Sequence, residues 1–457
     1  MRNFLHPPTS LESWNNIAHL LEQVSSRTGD SDALQLFMDT LQSVYQLLVT
    51  KGSSNNFSEI REMFELLDPM ISGQFLHTSF PAMCRDILSY LASTFEIDYL
   101  PSSFPRSIEF DANDVYVLVS MCFMGIPWVH PNNQTTLRDG TCIYMFSNRP
   151  KQVAKLTCFL NYFNVVVAAR QNILNPQACE LILRRRIVLE RCVLEKTHGA
   201  EWWMHECKQP LSEVQYMQKY MCIESAHHAV QADFANKHIG GGVLRTGCVQ
   251  EEIRFMISPE TLLSVFLCDP LADNEAVIIR NTIQISSYSG YSQSFKCTGF
   301  SKGIMKLFSG NQDEIPSDDI VCIDATPYTS GEERLRQFSL HAIVRELEKC
   351  RCGLSYLDPK PFATGNWGCG VFGGDSQLKA VIQWLAASAC SKDILYFPFD
   401  DFSTNQLPEL AKYSRGLAVC DLFDVLIKCI SDNTCPSTDL VASMIARVRN
   451  KARNQDP

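Results

Sequence analysis

Four short apolar runs rich in β-branched residues recur after about residue 177: Ile187-Val188-Leu189, Ala276-Val277-Ile278-Ile279, Ile320-Val321-Cys322-Ile323 and Ile394-Leu395-Tyr396-Phe397. A run without polar alternation is what a strand looks like when both its faces are covered. Amphipathic stretches lie between and after these runs. Leu340, Ile343, Val344 and Leu347 recur at helical spacing, as do Leu378, Val381, Ile382, Leu385 and Ala389. Strands and helices of this kind build an α/β domain with a mixed sheet covered on both faces. Arg184-Arg185-Arg186 leads directly into the first run and reads as a solvated strand entrance.

The first part of the chain has a different texture. Trp14, Ile17, Leu20, Leu21 and Val24 share a helical face behind the candidate caps Thr9 and Ser10. Leu34, Met38, Leu41, Tyr45 and Leu48 share another behind Ser31 and Asp32, and a third helix is expected over 80–91. Loop signals at Gly52-Ser53-Ser54-Asn55-Asn56 and Pro131-Asn132-Asn133 separate the pieces. The expected division is an all-helical accessory domain over 1–177 and an α/β domain over 178–457.

Charge and composition narrow the function classes. Lys+Arg number 40 against 50 Asp+Glu, a formal net charge of −10, which excludes a generally basic nucleic-acid binder. With 46% hydrophobic and 20% charged residues the chain is of ordinary globular type. The apolar stretch over 115–129 is interrupted by Ser120, Gly125 and Pro127 and falls short of the roughly 20 residues that cross a bilayer. It reads as a buried helix or strand pair. The opening MRNFLHPPTS lacks the features of a secretory signal, so a cytoplasmic or nuclear location is expected. In that setting the 19 cysteines read as buried, reduced thiols. Neither Cys350/Cys352 nor the isolated Cys369 repeats a zinc-type spacing, so no metal is expected. The tail Arg447-Val448-Arg449-Asn450-Lys451-Ala452-Arg453 reads as a basic end fraying from a last helix.

Chemistry concentrates in two segments. The first is Asp233-Phe234-Ala235-Asn236, then Gly240-Gly241-Gly242, then seven residues and Gln250-Glu251-Glu252-Ile253-Arg254-Phe255. Three consecutive glycines suit a tight loop with close backbone approach, and a loop opening into a helix offers N–H groups to an anion or a sugar oxygen. Neighbours on a helix point about 100° apart, so Glu251 and Glu252 are fitted to different tasks. Paired carboxylates beside such a pocket suit glycosidic chemistry, although a Glu-Glu pair on a solvated helix face reads the same way. The second segment, Thr364-Gly365-Asn366-Trp367-Gly368-Cys369-Gly370-Val371-Phe372-Gly373-Gly374-Asp375, runs into the amphipathic stretch beginning at Gln377. Glycines before a helix make a diphosphate cradle, helped by the helix dipole. The segment matches neither a dinucleotide fingerprint nor a nucleoside-triphosphate loop.

These two segments, in this order, resemble the motifs of the poly(ADP-ribose) glycohydrolases. The resemblance continues through Tyr288-Ser289-Gly290-Tyr291, Ile323-Asp324-Ala325 and Tyr396-Phe397-Pro398-Phe399 and covers residues 187–399; the match of the first third to that family's helical domain is looser. The resemblance implies a macrodomain-like three-layer α/β/α fold preceded by a helical accessory domain. It also implies hydrolysis of the ribose–ribose O-glycosidic bond of poly(ADP-ribose), with release of ADP-ribose and without a cofactor. By position, Glu252 corresponds to the general acid/base and Glu251 to a residue that positions ribose hydroxyls, with Gln250 beside it. Asp233 and Asn236 correspond to residues of the same pocket, which hold the substrate or the catalytic loop. Gly240, Gly241 and Gly242 form the glycine loop, and Tyr291 resembles a flap tyrosine. Phe399 resembles an aromatic packing on adenine, although a residue ending a strand is also often plain core. Asn366, Gly370, Phe372 and Gly373 match diphosphate and distal-ribose contacts, and Glu224 is a looser match for adenine recognition. Expected partners are poly(ADP-ribose) and poly(ADP-ribosyl)ated proteins, as in the DNA damage response. No membrane, no direct DNA binding and a monomer are expected.

Some features depart from the family pattern. Leu244-Arg245-Thr246 is bulkier and more basic than usual, the connection from Cys352 to Thr364 is short, and no long regulatory leader precedes Met1. Net acidity favours recognition of one terminal ADP-ribose over tracking along a polyanion, hence an exo mode. Partial burial and the neighbouring Glu251 predict a raised pKa for Glu252. Three alternatives remain at this level: an ADP-ribose-binding module, a hydrolase of the last protein-linked ADP-ribose, and a Cys-dependent hydrolase using Cys248 or Cys369.

Overall fold

The computed structural model describes residues 4–5, 11–26, 32–48, 58–93, 97–126, 145–219, 221–310, 316–329, 331–432 and 439–453. The expected caps Thr9, Ser10 and Ser31, the loop signals at 52–56 and 131–133, Pro127, and the side chains of Trp14, Tyr45 and Leu48 lie outside the described residues.

The helices of the first part are α1 (Leu11–Ser26), α2 (Ala33–Leu48), α3 (Phe80–Ser93), α4 (Ala112–Phe123) and α5 (Pro150–Arg170). Ile17, Leu21 and Val24 are buried, as their spacing predicts, and Phe37, Phe75, Phe80, Phe123 and Phe163 interlock by edge and tilted ring contacts. The stretch expected to be a buried helix or strand pair is α4. Its N-terminus is capped by Asp111, whose carboxylate accepts the Asp114 N–H at 2.8 Å. Helix α5 starts at Pro150, the position where a missing N–H costs nothing, and is buried on nearly every side, Lys151, Gln152 and Lys155 included.

The sheet strands, in chain order, are β1 (Arg106–Asp111), β2 (Arg186–Val193), β3 (Val214–Tyr216), β4 (Val230–Ala235) and β5 (Glu275–Ile283). A separate hairpin, β6 (Ser286–Ser289) and β7 (Lys296–Phe300), precedes β8 (Ser317–Asp324), β9 (Phe362–Gly365) and β10 (Ile394–Phe397). Among the described residues the main sheet has eight strands in the order β1-β2-β5-β8-β4-β9-β10-β3. The first three lie antiparallel, and β8, β4, β9, β10 and β3 run parallel. All four apolar runs are strands of this mixed sheet. The helical first part also supplies the outermost strand, β1. There Ile108 and Phe110 alternate with Ser107, Glu109 and Asp111, as in an edge strand with one covered face.

Side chains on the two faces of the sheet enter separate cores. Leu189, Val277, Ile279 and Ile320 pack with the helices of the first part, and Ala276, Ile278, Val321 and Ile323 pack with α6 (Leu340–Ser355) and α7 (Ser376–Ala389). The fold is a three-layer α/β/α arrangement in which the accessory helices cover one face. The basic tail belongs to a helix, Leu440–Arg453, rather than fraying, and Arg449 bonds Glu409 at 2.7 Å. Every cysteine among the described residues is a free thiol. No helix among them is long and apolar enough to cross a membrane.

Candidate active site

Parallel strands leave a crevice beyond their C-terminal ends where neighbours diverge. Here β4 and β9 pair only at Val230↔Phe362 and Gln231↔Ala363, and then separate. Gln250, the first residue of the helix Gln250–Ile257, fills the gap. Its side-chain oxygen accepts the Phe234 N–H at 2.8 Å, and its amide nitrogen donates to the Ala232 carbonyl at 3.0 Å. Beyond this point opens a cavity of about 840 Å3, within the range that encloses a small ligand.

One wall carries the carboxylates. Glu251 and Glu252 are 3% and 6% exposed, so neither belongs to a solvated helix face. Glu251 accepts N–H groups from Asn236 at 3.0 Å and Gly240 at 2.5 Å. Glu252 accepts from Gly242 at 2.7 Å and from Val249 at 2.8 Å. Gly241 has φ +49°, and a Cβ there would lie 2.5 Å from Glu252 Oε1 and 2.6 Å from Glu251 Oε2. The glycine triplet is therefore a cradle for the protein's own carboxylates, and at Gly240 and Gly242 the amides that the sequence offered to an anion are already engaged.

Behind this wall lies Asp233, with no exposed surface and neither oxygen satisfied by a conventional donor. Burial pushes its carboxyl up to about 7, opposed by the neighbouring Cys322 and Arg254 and reinforced by Glu252. Burial, then the charges of Asp233 and Glu252, push Glu251 well above the ordinary carboxylate range, while the two amides from Asn236 and Gly240 pull the other way. Asp233 was expected in the pocket lining and lies beneath it: its side chain is buried, because inward and outward positions alternate along β4 and Phe234 takes the cavity side.

The second glycine segment forms another wall. Gly370, Val371 and Phe372 line the cavity, and their amides donate to no acceptor among the described residues, whereas Gly373 and Gly374 close the turn onto the Gly370 and Gly368 carbonyls at 3.0 and 2.9 Å. Gly373, at φ +68°, sits where a Cβ would run into the Tyr328 carbonyl oxygen. Asp375 caps α7 through the Leu378 N–H at 2.9 Å, so a carboxylate already occupies that helix end. Asn366 lines the cavity, but its side chain is a brace: it donates to the Pro398 carbonyl at 2.9 Å and accepts from the Tyr396 hydroxyl at 2.8 Å.

The third wall is aromatic. Tyr291 and Phe399 are 42% and 40% exposed, and their rings meet edge to face at 6.1 Å. The Tyr291 hydroxyl accepts the Gln250 N–H at 3.3 Å, and the Ser292 N–H donates to the Cys248 carbonyl at 2.9 Å, which ties the hairpin loop to the loop that carries the glycine triplet into Gln250. Phe399 is not plain core. It has φ +55°, a sparsely populated conformation for a bulky residue, and it presents its ring to the cavity.

The cavity thus gathers Asn236, Gly241, Gly242, Gln250, Glu251, Glu252, Tyr291, Asn366, Gly370, Phe372 and Phe399. Asp233, Gly240, Gly373 and Glu224 do not line it. Glu224 is buried behind Ile223 and accepts from the Tyr288 hydroxyl at 3.3 Å. Sequence reasoning missed Phe234, Val265 and Asp401 as lining residues; Phe234 lies within the first motif, where its place in the strand could have flagged it, and nothing local marks the other two. No group of three metal-ligating side chains is placed to hold an ion among the described residues.

Residues 67–182 match the helical domain of poly(ADP-ribose) glycohydrolase, and residues 201–406 match its macro domain fold. Poly(ADP-ribose) glycohydrolase 1 of Arabidopsis thaliana is 31% identical over 276 residues, covering 44% of this chain and 49% of that protein. Poly(ADP-ribose) glycohydrolase 1 of Caenorhabditis elegans is 33% identical over 230 residues, covering 48% and 28%. The chain spans about half or less of the length of these curated relatives. A solved poly(ADP-ribose) glycohydrolase from Deinococcus radiodurans in complex with ADP-ribose aligns with a TM-score of 0.28 and 12% identity, over 44% of this chain and 83% of that one, too slight a likeness to build on. With the helical and macro-fold halves of one family matched in order across most of its length, and the triplet-to-glutamate motif folded into one cavity, the chain belongs to the poly(ADP-ribose) glycohydrolase family.

Proposed function

We propose that the chain hydrolyses the ribose–ribose O-glycosidic bonds of poly(ADP-ribose), working mainly from the terminus and releasing ADP-ribose. The observation that carries this reading is the pair of buried carboxylates fixed by backbone amides in the wall of a cavity whose other walls offer unengaged amides and aromatic rings. A diphosphate suits the amides of 370–372, and an adenine suits the face of Phe399.

Glu252 is assigned the proton-transfer step. It gives a proton to the leaving ribose oxygen as the bond from that oxygen to the anomeric carbon breaks, then takes one from the water whose oxygen joins that carbon. Glu251 holds ribose hydroxyls. The sequence predicted an upward shift for Glu252; the upward shifts that support the mechanism are those of Glu251 and Asp233, which favour retention of a proton within this carboxylate cluster toward neutral pH. Recognition of one terminal unit by amides and rings needs no basic track, and Arg245 is the only basic side chain among the described residues lining the cavity. The expected partners are therefore poly(ADP-ribose) and the proteins that carry it.

The test is to incubate the parent chain and Glu252→Gln with poly(ADP-ribose) of defined length and follow ADP-ribose by chromatography. Release by the parent, a loss of about three orders of magnitude or more in the variant, and retained ADP-ribose binding by both are expected. Binding without release by the parent would make the chain a reader of ADP-ribose and remove the role given to Glu252. Early accumulation of long internal fragments would overturn the exo mode.

A further inference from the structure

The loop that carries Gly242 to Val249 is held from outside the α/β domain. On helix α5, Lys155 lies one turn beyond both Lys151 and Gln152, at i+4 and i+3, and all three reach the same loop. The Lys155 ammonium, with no exposed surface, donates to the Arg245 and Gly247 carbonyls, both at 2.8 Å. Gln152 donates to the Arg245 carbonyl at 3.1 Å, and Lys151 to the Thr246 carbonyl at 2.9 Å. Three side chains from the accessory helices thus hold three consecutive carbonyls of the loop.

The held turn touches the carboxylate assigned to proton transfer. A Cβ on Gly247 would lie 2.6 Å from Glu252 Oε1, and a Cβ on Gly242 would lie 3.1 Å from the Gly247 Cα. Gly242 in turn gives Glu252 its amide hydrogen bond. Between the Lys155 ammonium and the Glu252 carboxylate there is therefore only the Gly247 peptide, with no side chain to absorb a displacement.

We propose that Lys155, supported by Gln152 and Lys151, is a positioning residue for Glu252, and that the accessory helices act in catalysis by fixing the loop that aims it. Expressed as a rate effect, the proposal rests on the glycohydrolase reading above; expressed as loop order, it does not. A misplacement of about 1 Å at a reacting group costs on the order of a hundredfold in rate.

The experiment compares the full chain with Lys155→Met, Gln152→Ala and Asn164→Ala. Asn164 is on the same helix, but its buried bonds run to Ser79 at 2.6 Å and the Ile71 carbonyl at 3.1 Å, so its loss loosens the accessory core without touching the loop. At a temperature where all fold, Lys155→Met is expected to lower kcat by about 30- to 100-fold with KM and ADP-ribose affinity within about threefold. Gln152→Ala is expected to give a smaller fall of about fivefold, and Asn164→Ala to leave kcat near the parent value despite a lower Tm. Combined with Glu252→Gln, Lys155→Met should add little further loss. Hydrogen exchange supplies the independent arm: the amides of residues 242–249 should exchange at least about tenfold faster in Lys155→Met than in Asn164→Ala. If Lys155→Met does not fold, Gln152→Ala takes its place in both arms. Equal kcat in the loop and control variants at matched stability, or unchanged exchange over 242–249, overturns the proposal. A parent chain that releases no ADP-ribose would instead overturn the proposed function, and the exchange arm would still decide this one.

Discussion

The loops at 240–247 and 365–374 look alike in sequence, each glycine-rich and each running into a helix, yet their backbone amides do opposite work. In the first, Gly240 and Gly242 donate inward to Glu251 and Glu252. In the second, Gly370, Val371 and Phe372 line the cavity with amides that meet no acceptor among the described residues, and the helix end behind them is closed by Asp375. Glycines before a helix thus do not by themselves make an anion site. What decides is whether the protein supplies its own carboxylates within reach, as it does at the first loop.

The largest expected effect tests that division directly. Gly241→Ala places a methyl group between the two carboxylates at 2.5 and 2.6 Å, and kcat for ADP-ribose release should fall by about two to three orders of magnitude while ADP-ribose affinity, read by calorimetry, changes far less. A loss confined to affinity would mean that the first loop holds ligand after all.

Asp233 sharpens the same side of the comparison. Its carboxyl is raised to about 7 from an ordinary value of 3.8, so the native state binds this proton more tightly than the unfolded chain. Its contribution is complete below the unfolded pKa and is lost as pH rises through the folded one. Asp233→Asn should therefore gain stability relative to the parent between about pH 4 and 7, on the order of 4 kcal/mol by pH 8. Denaturant melts at pH 4, 6 and 8 would detect it; a difference that stays flat with pH would remove Asp233 from the carboxylate cluster.

The second loop offers a smaller, internal contrast. Gly373→Ala puts a side chain at φ +68° against the Tyr328 carbonyl and should weaken ADP-ribose binding by about ten- to a hundredfold. Gly370→Ala meets nothing within 4 Å and should leave the Tm of the ligand-free chain within about 1 °C. Equal destabilisation by the two would mean that the turn is not built as described.

Much of this arrangement was readable from the residues, and the unreadable parts share a cause. Runs such as Ala276 to Ile279 announce a strand because the sheet buries both their faces. The site strand β4 hides itself because Gln231 and Asp233 interrupt its apolar run. Gln231 reaches Asp318 at 2.9 Å, a carboxylate that Arg254 also bonds at 2.8 Å, so their polarity answers to a buried network that only the fold assembles. The residues themselves pointed to Glu251 and Glu252, and the resemblance added Tyr291 and Phe399; Asp233, expected in the lining, lies beneath it, since spacing along a motif does not say which side of a strand faces the cavity. Lys151, Gln152 and Lys155 escaped notice because polar residues near the start of a helix look like a solvated end. The signal was there in the nearly unbroken apolar run after them, which leaves helix α5 no outside.

The grip of α5 on the catalytic loop has one more consequence. It acts on carbonyl oxygens, which every residue carries, so substitutions along 244–246 leave the tether intact. The side chains of the loop beside Glu252 can therefore vary in size and charge at little structural cost. Side chains such as Leu244, Arg245 and Thr246, two of which line the cavity, can thus change its mouth by single substitutions without rebuilding the backbone beneath.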